Sequence, residues 1–267
     1  MNANTFDKLR TLVYEKSGIT LGDNKQALVR ARIAKRMRQL DIVDYDEYLH
    51  YIMKEPSGDE VQHMVDAIST NVTSFYREPA HFDFLREAIA GWIEDGVRDL
   101  RFWSAASSTG EEPYTMAMET LESIGRRPVT ARILGTDISR RVLETAQRGE
   151  YTQGQLKPVP ERLRDLYFER RKIKGETRYS TGETLRSIVV FRQFNLSAFP
   201  YPLNSKLDAI FCRNVMIYFD RIIRTNMVRE FQSLLKRGGY LFVGHAESIT
   251  GLSDGFKCIK PSVYKKV

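Results

Sequence analysis

The 267-residue sequence predicts an α/β fold: a doubly wound, mostly parallel sheet with a small inserted β-subdomain, preceded by an N-terminal helical domain. Three observations carry this expectation. Residues 1–70 show helical periodicity and no strand-like run. From about Asp99, short apolar runs alternate with helix-length stretches. One interval, from Asp137 to Asn195, is much longer than a single crossover helix requires.

In chain order, FDKLRTLVYEKSG reads as a helix stopped at Gly18, and NKQALVRARIAKRMRQL as a second helix with Val29, Ile33, Met37 and Leu40 on one apolar stripe. Two further helices, around Asp44 to Lys54 and Glu60 to Ile68, complete a small bundle. Residues 71–98 read as a linker and a connecting helix, and 99–267 as the α/β domain. Its strands are expected in LRFWSA, ARILGTD, SIVVFRQFN, LDAIFCRN and GGYLFVGH. No helix fits between Phe256–Ile259 and Ser262–Lys266, so these runs are expected as an antiparallel addition at the edge. The polar, Gly-punctuated stretch 167–184, with the strand-like piece RYST, is the expected inserted subdomain.

Composition narrows the classes. No apolar run approaches the ~18 residues needed to span a bilayer, so no membrane insertion is expected, and MNANTFDKLR lacks the layout of a signal peptide. A cytoplasmic location follows as an expectation. Cys212 and Cys258 are too few for a disulfide framework, and Cys212 inside AIFC reads as an inert buried thiol. His50, His63, His81 and His245 show no metal-ligand spacing, so no metal is expected. The net charge of +7 points to an acidic partner. Much of it lies in Lys25, Arg30, Arg32, Lys35, Arg36 and Arg38, which form either a solvated helix face or a docking surface.

The chemistry concentrates at FWSAASSTGEEPYT (102–115), a strand breaking into a small-residue loop and then a helix. In an open parallel sheet, ligands bind beyond the carboxyl ends of the strands where the strand order reverses. Asp137, at the end of the next strand, suits an acid that accepts hydrogen bonds from a ribose, and Asn214 follows a third strand. The loop has one glycine where a dinucleotide fingerprint needs three, and no Gly-Lys-Ser/Thr for a triphosphate. A nucleoside with a positive sulfur and an amino-acid tail suits a site with carboxylates and no phosphate cradle. GLSDG (251–255) matches a nucleophile pattern, but no histidine follows Ser253, so a hydrolase is excluded.

NVTSFYRE (71–78), FWSAASSTGEEPYT, GTDIS (135–139), the RGEY that follows, FCRNVMIYFD (211–220) and GHAES (244–248) together resemble the chemotaxis receptor methyltransferase family, CheR. The resemblance implies a class I methyltransferase domain that transfers a methyl group from S-adenosyl-L-methionine to glutamate carboxylates on the cytoplasmic domain of methyl-accepting chemoreceptors, leaving S-adenosyl-L-homocysteine. It implies recruitment to receptor arrays, with a receptor's C-terminal tail peptide as a possible ligand of the inserted subdomain. By the same resemblance Asn71, Thr73 and Arg77 close over the cofactor, Glu111 rather than Glu112 faces it from the loop, and Asp137 meets its ribose. Asn195 with Leu196, and Arg213 with Asn214, flank its adenosine and methionine portions. Tyr218 and Arg77 are the catalytic candidates: Tyr218 orients the acceptor carboxylate, and Arg77 pairs with the acceptor or with the cofactor's own carboxylate. Two alternatives differ in class. A nucleic-acid methyltransferase fits the basic charge, although no stacking groove or base-flipping motif is visible and no nucleic-acid partner is expected. A non-catalytic cofactor-sensing adaptor would keep the fold without the reaction.

Overall fold

The computed structural model describes residues 1–173 and 175–267. Its N-terminal bundle comprises α1 (Ala3–Ser17), α2 (Gln26–Gln39), α3 (Tyr45–Lys54) and α4 (Asp59–Ile68). Local chemistry sets the ends. Asn2 caps α1 by accepting from the Thr5 amide at 2.8 Å, Gly18 ends it at φ +71°, and Asp44 caps α3 through the amides of Asp46 and Glu47. Leu9, Val13, Val29, Ile33, Met37, Tyr48 and Met64 form the bundle core, with Leu40 packed at its margin.

Two of the basic residues expected on a free face are used inside this bundle. Arg36 chelates Glu60, whose carboxylate also accepts from the Tyr48 hydroxyl at 2.8 Å. Arg32 donates to the carbonyls of Ile68 and Ser69, closing the C-terminal end of α4. Arg30, Lys35 and Arg38 are exposed. The docking expectation is therefore corrected: only part of the charge run is available to a partner, because helix ends and a buried carboxylate take the rest.

The linker leads into α5 (Ala80–Glu94). The chain then runs β1 (Asp99–Ser104), α6 (Glu111–Ile124), β2 (Thr130–Asp137), α7 (Arg140–Arg148), β3 (Glu150–Thr152), α8 (Glu161–Tyr167), β4 (Phe168–Ile173), β5 (Glu176–Thr181), α9 (Glu183–Arg186), β6 (Val189–Gln193), β7 (Leu207–Cys212), α10 (Arg221–Leu234), β8 (Leu235–Val243), β9 (Phe256–Lys260) and β10 (Val263–Lys266). The main sheet has the order β6-β2-β1-β7-β8-β10-β9. Its first five strands are parallel and β10 runs antiparallel to both β8 and β9, as the terminal runs implied. Successive side chains serve opposite faces. Phe102, Phe211 and Phe242 pack under α5 and α6, whereas Trp103, Ile210, Leu241 and Val243 pack with Met227 and Phe231 of α10. Phe211 and Phe242 stack at 4.1 Å, and burying each ring contributes roughly 2–3 kcal/mol.

The inserted subdomain is a three-stranded antiparallel sheet of order β3-β5-β4. The range 167–184 covers β4 and β5, and its Lys174 lies outside the described residues. The sequence reading missed β3, since three residues directly behind the helix-ending Gly149 carry no periodicity. Tyr151 of β3 packs edge-on against Phe75 at 4.8 Å, and its hydroxyl donates to the Thr109 carbonyl at 2.8 Å. The subdomain is thereby fastened to both the linker and the first loop.

Candidate active site

Strand order reverses between β1 and β7, since β2 and β6 lie on one side of β1 and β7 and β8 on the other. A cleft of about 1180 Å³, including its open mouth, lies beyond the carboxyl ends of these strands. Ala105, Ala106 and Ser108 line it from the loop after β1, Asp137 and Ile138 after β2, and Phe194 to Leu196 after β6. Arg213 and Asn214 line it after β7, and Lys25, Leu28 and Arg32 enter from the N-terminal bundle.

Asp137 is fixed by its backbone neighbours. One carboxylate oxygen accepts from the Ser108 amide at 2.9 Å and the other from the Ser139 amide at 3.0 Å. Burial pushes its carboxyl above the ordinary range, and those amides pull only partly against it. Such a carboxylate has lone pairs left for two hydroxyl donors. Beside it, Ile138, Phe194 and Leu196 supply an apolar wall.

On the opposite wall, Arg213 is 2% exposed at its side chain and bridges two carboxylates, Glu112 at 2.9 Å and Glu78 at 3.1 Å. Glu112 also accepts from the Ser104 hydroxyl at 2.7 Å. Burial disfavours the charged form of Glu78, yet Arg213 and further hydrogen bonds hold its carboxyl below the ordinary range. Asn214 sits at φ +59° and is pinned by Glu247, which accepts from its amide at 2.7 Å and from the Gly244 amide at 2.6 Å. Gly244 has no alternative, because a Cβ there would lie 2.9 Å from the Asn214 backbone nitrogen.

The linker closes the third side. Asn71, Thr73 and Arg77 all line the cleft, and the Asn71 carbonyl accepts from the Ser108 hydroxyl at 3.2 Å. Arg77 donates to the Val72 carbonyl at 2.8 Å and pairs with no carboxylate among the described residues, leaving its charge available. Tyr76 and Glu78, on either side of it, have φ of +54° and +56°. Non-glycine residues tolerate this conformation only where surroundings impose it, commonly at ligand sites. Here Tyr76 is held by its hydroxyl on Glu119 at 2.6 Å.

Tyr218 lines the cleft in the short turn after Asn214, with its carbonyl accepting from the Thr20 amide at 2.8 Å and Lys25 5.3 Å above its ring. Asn195 also lines the cleft, but its polar atoms are committed: the amide nitrogen donates to the Lys16 carbonyl at 2.9 Å, and the oxygen accepts from Ser197. It joins the two domains as well as forming wall.

The paired carboxylates require a correction. Glu111, expected to face the ligand, is turned away from the cleft, with its oxygens on Thr109 at 2.6 Å and Gln155 at 3.3 Å. Glu112 lines the cleft instead. The helix start decides this. Gly110 caps α6 at φ +96° with a Cβ position only 2.9 Å from both Ala146 and Tyr151, so the first residue of α6 points toward the inserted subdomain. The glycine serves that packing, and the close approach to a ligand falls to Ala105, Ala106 and Ser108. Sequence reasoning also missed Glu78 and Glu247, although both stand within quoted blocks, YRE and GHAES.

Comparison with known proteins places the chain. The model of the CheR methyltransferase SAM binding domain matches residues 71–265, and that of the CheR methyltransferase all-alpha domain matches residues 4–69. A chemotaxis protein methyltransferase of Borreliella burgdorferi is 35% identical over 97% of this chain and 93% of its own. Chemotaxis protein methyltransferase 2 of Pseudomonas aeruginosa is 36% identical, with 97% and 91% covered. A chemotaxis protein methyltransferase of Escherichia coli is also 36% identical, with 97% and 89% covered.

Proposed function

The chain belongs to the CheR methyltransferase family, and from that premise we propose that it methylates glutamate carboxylates of chemoreceptors, using S-adenosyl-L-methionine and leaving S-adenosyl-L-homocysteine. The observation that carries this reading is one cleft in which a fastened acid, Asp137, faces a cationic and carboxylate wall of Arg77, Arg213 and Glu112. That donor set fits a nucleoside with an amino-acid tail. Asp137 would accept from the ribose hydroxyls, Ile138, Phe194 and Leu196 would cover the base, and Arg77 would pair with the tail carboxylate. Glu112, on the Arg213 side, would accept from the tail's ammonium. Asn71 and Thr73 would cover it from the linker, with Asn214 opposite.

The bound cofactor supplies an electrophilic methyl group on a positive sulfur. The acceptor glutamate, with a reference pKa near ~4.3, is already ionised and needs no general base. The protein's part is alignment and the exclusion of water, which would solvate separated charges better than the charge-neutralising transition state. Tyr218 lines the cleft, where its hydroxyl would orient the acceptor. Leu28 and Val72 are exposed at the same rim beside Lys25, a mixture that suits an acidic protein segment. The protein would act in the cytoplasm at receptor arrays. The inserted sheet is a candidate seat for a receptor tail peptide.

Supplying labelled S-adenosylmethionine with receptor-containing membranes or with RNA separates the acceptor classes. Label is expected on the receptors, and transfer to RNA alone would favour the nucleic-acid reading.

A further inference from the structure

His81, in the first turn of α5, is 1% exposed, yet neither ring nitrogen has a hydrogen-bond partner. Leaving a buried polar group unpaired is costly, so an orphan of this kind calls for a ligand. Its Nδ1 lies 3.5 Å from Glu78 Oε2, and the same oxygen lies 3.9 Å from His245 Nε2. One ligand atom from each of the three residues falls within 4.8 Å of the others. From this arrangement we infer that Glu78, His81 and His245 form a binding site for a divalent transition ion, zinc fitting best.

Two imidazoles and one carboxylate are a ligand set suited to zinc, and bonds of about 2.0–2.1 Å in tetrahedral geometry set neighbouring ligand atoms about 3.4 Å apart. The Glu78–His81 distance is already close to that value. His245 is half exposed, so a small rotation brings its nitrogen in, and the open side gives the ion an entry path and a place for water. Glu78 is held in orientation by the Asn214 side-chain amide and the His245 backbone amide, each at 3.3 Å. Arg213 competes for the Glu78 oxygen, but it also carries Glu112, so two carboxylates face one guanidinium. A cation on the histidine side offsets the extra negative charge. The site stands independently of the methyl-transfer reading, since it uses no group assigned to the cofactor.

The test is titration of the tag-free full chain with Zn²⁺ alone, and with Co²⁺ alone as a visible-absorption probe of tetrahedral coordination. One equivalent is expected to bind. His245→Ala, on an exposed side chain, and His81→Gln should each weaken binding at least tenfold. His50→Ala and His63→Ala should leave it unchanged. If His81→Gln does not fold, His245→Ala decides alone. Absence of stoichiometric binding, or binding that survives His245→Ala, would overturn the assignment.

Discussion

Arg213 Nη1 lies 2.9 Å from Glu112 Oε2, which locks the end of β7 to the start of α6 in the wall of the cleft. Arg213 keeps Glu78 at 3.1 Å when Glu112 is neutralised, so the loss falls on the ligand's ammonium. Glu112→Gln is therefore expected to weaken cofactor binding about tenfold or more, the scale of a lost hydrogen bond to a charged group. Glu111→Gln should change it less than about twofold on the same scale. Titration calorimetry on both variants checks this, and a stronger effect at Glu111 would restore the original assignment.

Glu111 also yields a pH prediction. Burial pushes its carboxyl above the ordinary value, and the hydrogen bonds from Thr109 and Gln155 only partly offset that. A carboxyl that binds its proton more tightly folded than unfolded costs stability above its folded pKa, and the cost is relieved as pH falls through that value. Glu111→Gln should thus hold or raise the melting temperature near neutrality, with the advantage shrinking in mild acid. Melting curves across that range decide it, and a large loss at neutral pH would contradict the account.

At Gly244 the prediction is steric. A Cβ would press on Asn214, whose left-handed turn is already held by Glu247, so Gly244→Ala should cost about 1–3 kcal/mol and reduce cofactor affinity together with stability. Chemical denaturation and calorimetry on one preparation measure both.

Tyr218→Phe removes one hydroxyl from the cleft lining. Cofactor affinity should stay within about twofold while turnover on receptor membranes falls about tenfold, as expected for one hydrogen bond to a charged acceptor. Unchanged turnover removes Tyr218 from the catalytic residues.

Docking charge separates from structural charge within α2. Reversal of Arg30, Lys35 and Arg38 should lower receptor methylation, most at low salt, and leave the melting temperature nearly unchanged. Arg36→Ala strands the buried Glu60 and should cost about 3 kcal/mol. Equal behaviour of the two variants would remove the distinction.

The fold was largely legible in the sequence because its central strand β7 is buried on both faces and reads as a mostly apolar run, LDAIFC, every residue of which is buried. The edge hairpin was legible because no helix fits between β9 and β10. Of the site, the strand-end residues Asp137 and Asn214 could be named because topology fixes where strand ends converge, whereas the linker residues Asn71 and Arg77 were named only through the family resemblance. The glutamates could not be ranked, because the geometry of a helix start, set by Gly110 against Tyr151, decides which of two adjacent side chains meets the cleft. Glu78 with Arg213, and His81 with His245, are joined only by the fold, and no local spacing reveals them.

The central claim is tested most directly by the chemical lability of the product. Receptor membranes labelled with methyl from S-adenosylmethionine should release the label as volatile methanol under mild alkali, as a glutamate methyl ester does; label that stays on the protein would contradict carboxyl methylation.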